Sequence, residues 1–328
     1  MRRGRESRSS LLRFKMDTAE KSTLDFKITD ATSYDAHVGD FQRFSAALTT
    51  PLARRMIAMA DISAGQRVLD IGTGTGVVAL EAAKAAGNRG KCIGVDLSEK
   101  MLASARGNAC RENLTKRIEF MAMDAESLQF ETASFDVVLS LFALLHFPNP
   151  AIALSEMFRV LKPGGTLVVA VGSPPPWLSW LGAKHAITLI PELISRFLGR
   201  QLVAPQFLNQ LVQRNTSAHA EPEESSLARA GSSRSRTVPR LIRDVGFENL
   251  RQHWEGHQAV LDTPEDFWAI QRTFSSIARK RLNSASSNQV AKVRAKFDEL
   301  CRKVLSRGGR LTYPFAAFFV AARRPLQS

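Results

Sequence analysis

Two carboxylates bracket a run of glycines: Asp70 stands just before Gly72-Thr73-Gly74-Thr75-Gly76, and Asp96 closes the next apolar run, Lys91-Cys92-Ile93-Gly94-Val95-Asp96. A glycine turn between a strand and a helix lets backbone approach a ligand closely and aims helix N-terminal amides at it. An acid at the tip of the following strand is placed to accept hydrogen bonds from both hydroxyls of a ribose. Together these features indicate an adenosine-containing cofactor. Gly74-Thr75-Gly76-Val77-Val78-Ala79 also fits a dinucleotide turn, with Asp96 as an NAD-type ribose acid. Asp70 argues the other way, because a carboxylate beside the turn repels a pyrophosphate and attracts a cation. S-adenosylmethionine carries a sulfonium and an ammonium and no phosphate.

The elements that must position these residues follow from the hydrophobic pattern. From Gln66 onward, short apolar runs alternate with helical patterns, which predicts βα units winding a parallel sheet. Residues 67–71 read as the first strand, 77–86 as an alanine-rich helix, 91–96 as the second strand, and Ser98 as the cap of a helix through Arg106. Ile118–Met121 and Phe135–Ser140 read as the third and fourth strands. A helix from Pro150 ends at Lys162-Pro163-Gly164-Gly165, before a fifth strand, Thr166–Val171. Leu250–Trp254 and Tyr313–Ala321 complete the sheet. The latter is apolar at nearly every position and is expected to be buried on both faces.

The expected organisation is a basic, disordered tail over 1–30, a helical cap over 31–65, a cofactor core over 66–173, a lid insertion with a flexible stretch over 174–236, and a closing segment over 237–328. The closing segment contains a wholly helical insertion at 264–306. The length of 328 residues, 44% hydrophobic and 23% charged, suits an ordinary folded protein. Three cysteines without a short-spaced pair suggest neither disulfides nor a metal site and favour a reducing compartment. The net charge of +14 invites a polyanion, but six basic residues against one acid fall within the first 16 positions. That segment reads as a tail, or as a transit peptide, or as sequence upstream of a true start at Met16. No apolar run reaches 18 residues, so no membrane-spanning helix is expected. The cytoplasm is the expected location, with peripheral membrane contact allowed.

Val68-Leu69-Asp70-Ile71-Gly72-Thr73-Gly74-Thr75-Gly76 resembles the first motif of the class I S-adenosylmethionine-dependent methyltransferases. Further motifs follow in that family's order: Asp96-Leu97, Asp124-Ala125, Phe135 to Ser140, and Arg159 to Gly165. Within the family, Ser33-Tyr34-Asp35 with Phe41 and Ser45, and Leu144-Leu145-His146-Phe147-Pro148-Asn149-Pro150, resemble the group containing the ubiquinone and menaquinone biosynthesis C-methyltransferases. That group often has two adjacent histidines where this chain has Leu145-His146. The resemblance implies a doubly wound, mostly parallel seven-stranded α/β sheet, Rossmann-like, with an antiparallel edge strand and helical lids.

It also implies roles. Gly72, Thr73, Gly74 and Gly76 would form the turn under the methionine part of S-adenosylmethionine, and Asp70 would favour its positive end. Asp96 would hold the ribose, Leu97 and Met101 the adenine face, and Asp124 and Ala125 the adenine edge. Ser140 would reach the methionine side through its backbone. His146 is the leading candidate for a base, followed by Tyr34 and His37. No motif after the fourth strand fits a nucleic-acid acceptor. A small apolar acceptor is favoured by Trp177, Leu178, Trp180, Leu181, Ile187, Leu189 and Ile190 in one insertion and by Phe267, Trp268 and Phe274 in the other. Two competing functions are a non-catalytic cofactor-binding sensor and an NAD-dependent oxidoreductase. Oligomeric state is not legible.

Overall fold

The structure is a computed structural model that describes residues 25–173, 201–203, 206–215 and 225–326. Its centre is one sheet of eight strands: β1 (Arg67–Ile71), β2 (Lys91–Asp96), β3 (Ile118–Ala122), β4 (Phe135–Leu141), β5 (Leu161–Gly172), β6 (Gln201–Val203), β7 (Glu248–Leu261) and β8 (Arg310–Arg323). β1 to β5 run parallel in the order β3-β2-β1-β4-β5. β8 is antiparallel to β5 on one side and to β7 on the other. The fold is therefore the mostly parallel α/β class expected, with two differences of detail. The three-residue β6, which pairs with the start of β8, makes eight strands, and a run that short carries no periodic signal. The antiparallel strand lies one place in from the edge, because β8 is buried along most of its length and needs both of its edges paired.

Successive residues of each strand feed opposite faces. Val68, Val137, Leu139, Val168 and Ala170 join α2 (Val38–Ala60), α3 (Val77–Ala86) and α4 (Glu99–Arg111) on one face. Leu69, Ile71, Val138, Val169 and Val171 join α5 (Pro150–Val160) and α8 (Arg234–Asp244) on the other. Chain order reverses between β1 and β4, the place where an open parallel sheet leaves a crevice beyond its carboxyl ends.

Three expectations need correction or restriction. Residues 25–30, read as tail, belong to a helix over 25–33, α1. The insertion read as wholly helical over 264–306 is three helices, α9 (Pro264–Phe274), α10 (Ser276–Ser284) and α11 (Ser287–Leu305). Ser275 and Ser286 leave helical dihedrals and cap the helices that follow, accepting from Ala278 N and Gln289 N. Of the lid, residues 206–215 form α6 and 226–229 a one-turn α7, whereas Trp177 to Ile190 lie outside the described residues.

The α9–α11 layer is held by aromatic packing. Phe297 is fully buried, with Trp268 at 4.9 Å, Phe207 at 5.3 Å and Phe267 at 5.6 Å between ring centroids. Phe267 and Trp268, expected to roof a pocket, spend themselves on this cluster instead. Phe297→Ala should destabilise the protein by about 3–5 kcal/mol, to be read from the shift in the urea midpoint.

Candidate functional site

A cavity of about 1170 Å³ opens at the carboxyl ends of β1, β2, β3 and β4. Its wall includes Gly72, Thr73, Gly74, Asp96, Leu97, Met101, Asp124 and Ala125, which bring the sequence-predicted cofactor residues into one cleft. Drug-sized pockets run to about 1,000 Å³, so the space admits a cofactor together with a second molecule.

The turn is shaped by three left-handed glycines, Gly72, Gly74 and Gly76, of which the first two face the cleft. Gly72, at φ +69°, lies under the one-turn 3-10 segment Ala143–His146, and a Cβ there would meet the Ala143 Cβ at 2.1 Å. Gly74, at φ +53°, has nothing within 4 Å of the place a Cβ would take, so the turn presents bare backbone to the cleft. Its amide donates to Asp96 Oδ2 at 2.9 Å, and the Ser98 amide donates to Asp96 Oδ1 at 2.9 Å. Both oxygens of Asp96 are thus oriented by backbone, and each keeps acceptor capacity for a ribose hydroxyl. Burial raises the Asp96 pKa, and the amides of Ser98, Gly74 and Leu97 oppose that rise. Ser98 also caps α4 and donates its hydroxyl to Asp35 at 2.7 Å.

Three predicted cofactor residues do not reach the cleft surface. Asp70 is 1% exposed and sits behind the turn, where its Oδ2 accepts from the Thr73 hydroxyl at 2.7 Å. Its Oδ1 has no hydrogen-bond partner among the described residues. Burial pushes its carboxyl up to about 7; Thr73 and the Ala79 amide oppose this, and Asp96 reinforces it. A buried acceptor with spare capacity, one layer behind bare glycine backbone, suits a cation in the cleft and does not suit a pyrophosphate. Gly76 packs instead against Ala105 and Phe120, and the Ser140 side chain is fully buried in the sheet, with Leu141 taking the place at the wall.

Of the candidate bases, His146 and Tyr34 line the cavity and meet: Tyr34 Oη lies 3.1 Å from His146 Nε2. His146 Nδ1 lies 2.9 Å from Asp30 Oδ2, and Lys280 Nζ lies 2.6 Å from Asp30 Oδ1. Burial alone would raise the Asp30 pKa, but His146 and Lys280 hold it well below the usual carboxylate range. An ionised Asp30 therefore selects the His146 tautomer protonated at Nδ1, which leaves Nε2 to accept from Tyr34. His37 is not part of this group. It is buried beside Arg272, with 3.5 Å between Arg272 Nη2 and His37 Nε2, and burial with the Arg272 and Arg279 charges pushes its pKa down to about 4. It is a neutral packing residue.

Sequence reasoning missed Lys27 and Asp30. Both lie on the part of α1, residues 25–30, that it placed in the tail, and their partners are remote in sequence. Lys27 Nζ bridges Asp124 at 2.7 Å and Glu126 at 2.8 Å, so α1 spans the cleft from Asp124 to the His146 group. The other half of the cavity is aromatic: Phe41, Phe142, Trp254, Phe274, Tyr313 and Phe315 contribute to its wall. Phe142 adopts φ +65°, a left-handed value that a bulky residue rarely takes. That turn ends β4 and swings the Ala143–His146 segment back over Gly72.

Residues 69–169 match the family described as Methyltransferase domain. The demethylmenaquinone methyltransferase of Lactococcus lactis is 33% identical over 208 residues, 63% of this chain and 75% of that protein. The enzyme of the same name from Porphyromonas gingivalis is 32% identical, over 52% of this chain and 72% of its own. The aklanonic acid methyltransferase DauC of a Streptomyces strain is 32% identical over 41% of this chain and 61% of its own. Among solved structures, a putative methyltransferase from Bacillus halodurans has the same fold at TM-score 0.50 and 22% identity, over 83% of this chain and 98% of that one. These matches do not favour the oxidoreductase or non-catalytic readings.

Two outcomes are expected. Asp96→Ala should weaken S-adenosylmethionine binding by about 10- to 150-fold, the value of a lost charged hydrogen bond, with an unchanged circular dichroism spectrum; calorimetry measures it. For Asp70, the raised folded-state pKa means that the folded chain holds this proton more tightly than the unfolded one does. Its contribution to ligand-free stability is therefore full below about pH 4 and lost as pH rises to about 7. Asp70→Asn should flatten that part of the urea-midpoint profile.

Proposed function

The chain belongs to the class I S-adenosylmethionine-dependent methyltransferases, and from that premise we propose that it methylates a small apolar acceptor carrying an ionisable hydroxyl, such as a quinol-like ring. S-adenosylmethionine supplies an activated methyl group on a positively charged sulfur. The reading gives Asp96 the ribose, Gly72 to Gly74 the methionine part, Asp124 and Ala125 the adenine edge, and Leu97 and Met101 its faces. Asp70, behind the turn, carries negative potential only in its ionised form, and a cation bound in the cleft favours that form over the neutral one that burial favours.

The observation that carries the acceptor reading is the junction of an aromatic wall with a proton-accepting group in one cavity. Phe41, Phe142, Phe274 and Phe315 offer an apolar ring no polar partner, so an apolar acceptor gains by burial there. Tyr34, His146 and Asp30 offer its hydroxyl a place to lose a proton. Aligning donor and acceptor can itself supply about 7–11 kcal/mol, and removal of the proton makes the acceptor a stronger nucleophile at the moment of transfer. The names of two relatives, which refer to demethylmenaquinone, are consistent with such a ring. Among the described residues no helix is long and apolar enough to cross a membrane. The excess of 14 positive charges suits collection of an apolar acceptor from an anionic lipid surface.

Incubating the purified chain with methyl-labelled S-adenosylmethionine and a host-cell metabolite extract, then following the label by mass spectrometry, tests the reading. It expects one labelled apolar product; label appearing only in protein or nucleic acid would overturn it. With the acceptor in hand, His146→Asn should lower kcat by about 10²–10⁴ while leaving the Kd for S-adenosylmethionine unchanged.

A further inference from the structure

Arg279 on α10 is 0% exposed. A guanidinium stays charged in any protein setting, and a buried charge is costly unless something answers it. Its Nε donates to the Ser33 hydroxyl at 3.2 Å, and its Nη1 donates to the carbonyls of Arg272 and Thr273, each at 2.9 Å. Its Nη2 has no hydrogen-bond partner, and no carboxylate pairs with it among the described residues. What lies against its flat face is Tyr34: the Arg279 Cζ is 3.8 Å from the ring centroid. The neighbouring Lys280 makes the contrast plain, since its charge is taken up by Asp30.

Tyr34 sits where several charges meet. Asp30, His146, Asp96, Tyr313 and Arg279 all act on it or on its immediate neighbours, and Phe41 and the His146 ring flank it, each with 5.5 Å between centroids. Burial pushes its phenol up to about 12; Arg279 is the chief opposing influence, and Asp30 and Asp96 add to the rise. Negative charge on Tyr34 Oη is disfavoured by the carboxylates of Asp30 and Asp96, and the Arg279 guanidinium offsets them.

We propose that Arg279 is a positioning residue for proton transfer, its charge held against the Tyr34 ring so that Tyr34 is the group that takes the acceptor's proton. In the step, the acceptor hydroxyl gives its proton to Tyr34 Oη as Tyr34 gives its own to His146 Nε2. Tyr34 ends neutral, and the imidazolium is held by Asp30. The electron pair freed on the acceptor forms the new bond to the methyl carbon, and the pair of the breaking carbon–sulfur bond stays on sulfur. Arg279 lowers the cost of the negative charge that passes through Tyr34. The inference rests on the reading that the acceptor has a hydroxyl proton to lose.

The chain has two tyrosines, Tyr34 and Tyr313, so Tyr313→Phe leaves Tyr34 alone. Full-length Tyr313→Phe protein grown on 3-fluorotyrosine, whose phenol ionises at lower pH, reports Tyr34 as one fluorine resonance that can be titrated. Arg279→Gln in this background should raise the titration midpoint by about one pH unit or more, the effect of removing a unit charge at this range. Arg279→Lys keeps the charge without the flat group that lies on the ring and should raise it by less. If Arg279→Gln does not fold, the upward shift in Arg279→Lys decides the matter. A midpoint that stays or falls in the folded variant overturns the proposal. The measurement needs no acceptor, so a flat titration defeats this inference alone, whereas failure of the labelling experiment defeats the acceptor reading.

Discussion

The cleft depends on one constraint: a carboxylate at the tip of β2 is held in place by backbone. Asp96 accepts from the amides of Gly74 and Ser98, which belong to the turns that open α3 and α4. The same two bonds fix the orientation of the acid and join the glycine turn to the next strand. They are possible because β1 and β2 pair in register up to Ile71 and Val95, which sets the turn beside the following residue, Asp96. A shift of one residue along either strand would turn every side chain to the other face and leave the acid in the packing layer.

Charge is distributed around that centre in layers. Asp70 lies buried behind the turn, Asp96 faces the cleft, and Asp124 stands at the end of β3 with Lys27 bridging it to Glu126. Asp96 and Asp124 line the cleft with Asp70 behind it, while Arg279 and Lys280 of α10 pack against Tyr34 and Asp30. Helix α1 crosses between the two, tied by Lys27 at one end and by Asp30 at the other. These ion pairs are partly buried, so their role is more in orientation than in stability. Asp30 decides which nitrogen of His146 is free, and Lys27 holds two acids that would otherwise repel each other.

Elements that the sequence did not delimit share a cause. The serines at 275 and 286 break a helical pattern because each caps the following helix, and periodicity does not distinguish a cap from a solvent-facing position in a continuous helix. Asp30 read as part of a tail because a short charged helix has little hydrophobic signal of its own, and α1 owes its place to partners more than 90 residues away. His37 looked like Tyr34 and His146 by type, yet α2 begins at the next residue and the first turn carries His37 away from the cleft toward Arg272.

The residues alone determined the order of strands and helices through β5, the glycine turn, and the two acids flanking it. Each depends on local chemistry: a strand's alternation, the conformations open to glycine, the ribose preference of an acid at a strand tip. The tertiary structure alone decided that Asp70 faces the packing layer and Asp96 the cleft, that β8 lies inside the sheet, and that Asp30, His146, Tyr34 and Arg279 form one charge-coupled group. Those outcomes depend on register and on which distant segments share a cleft, and neither is encoded in the spacing of residues along the chain.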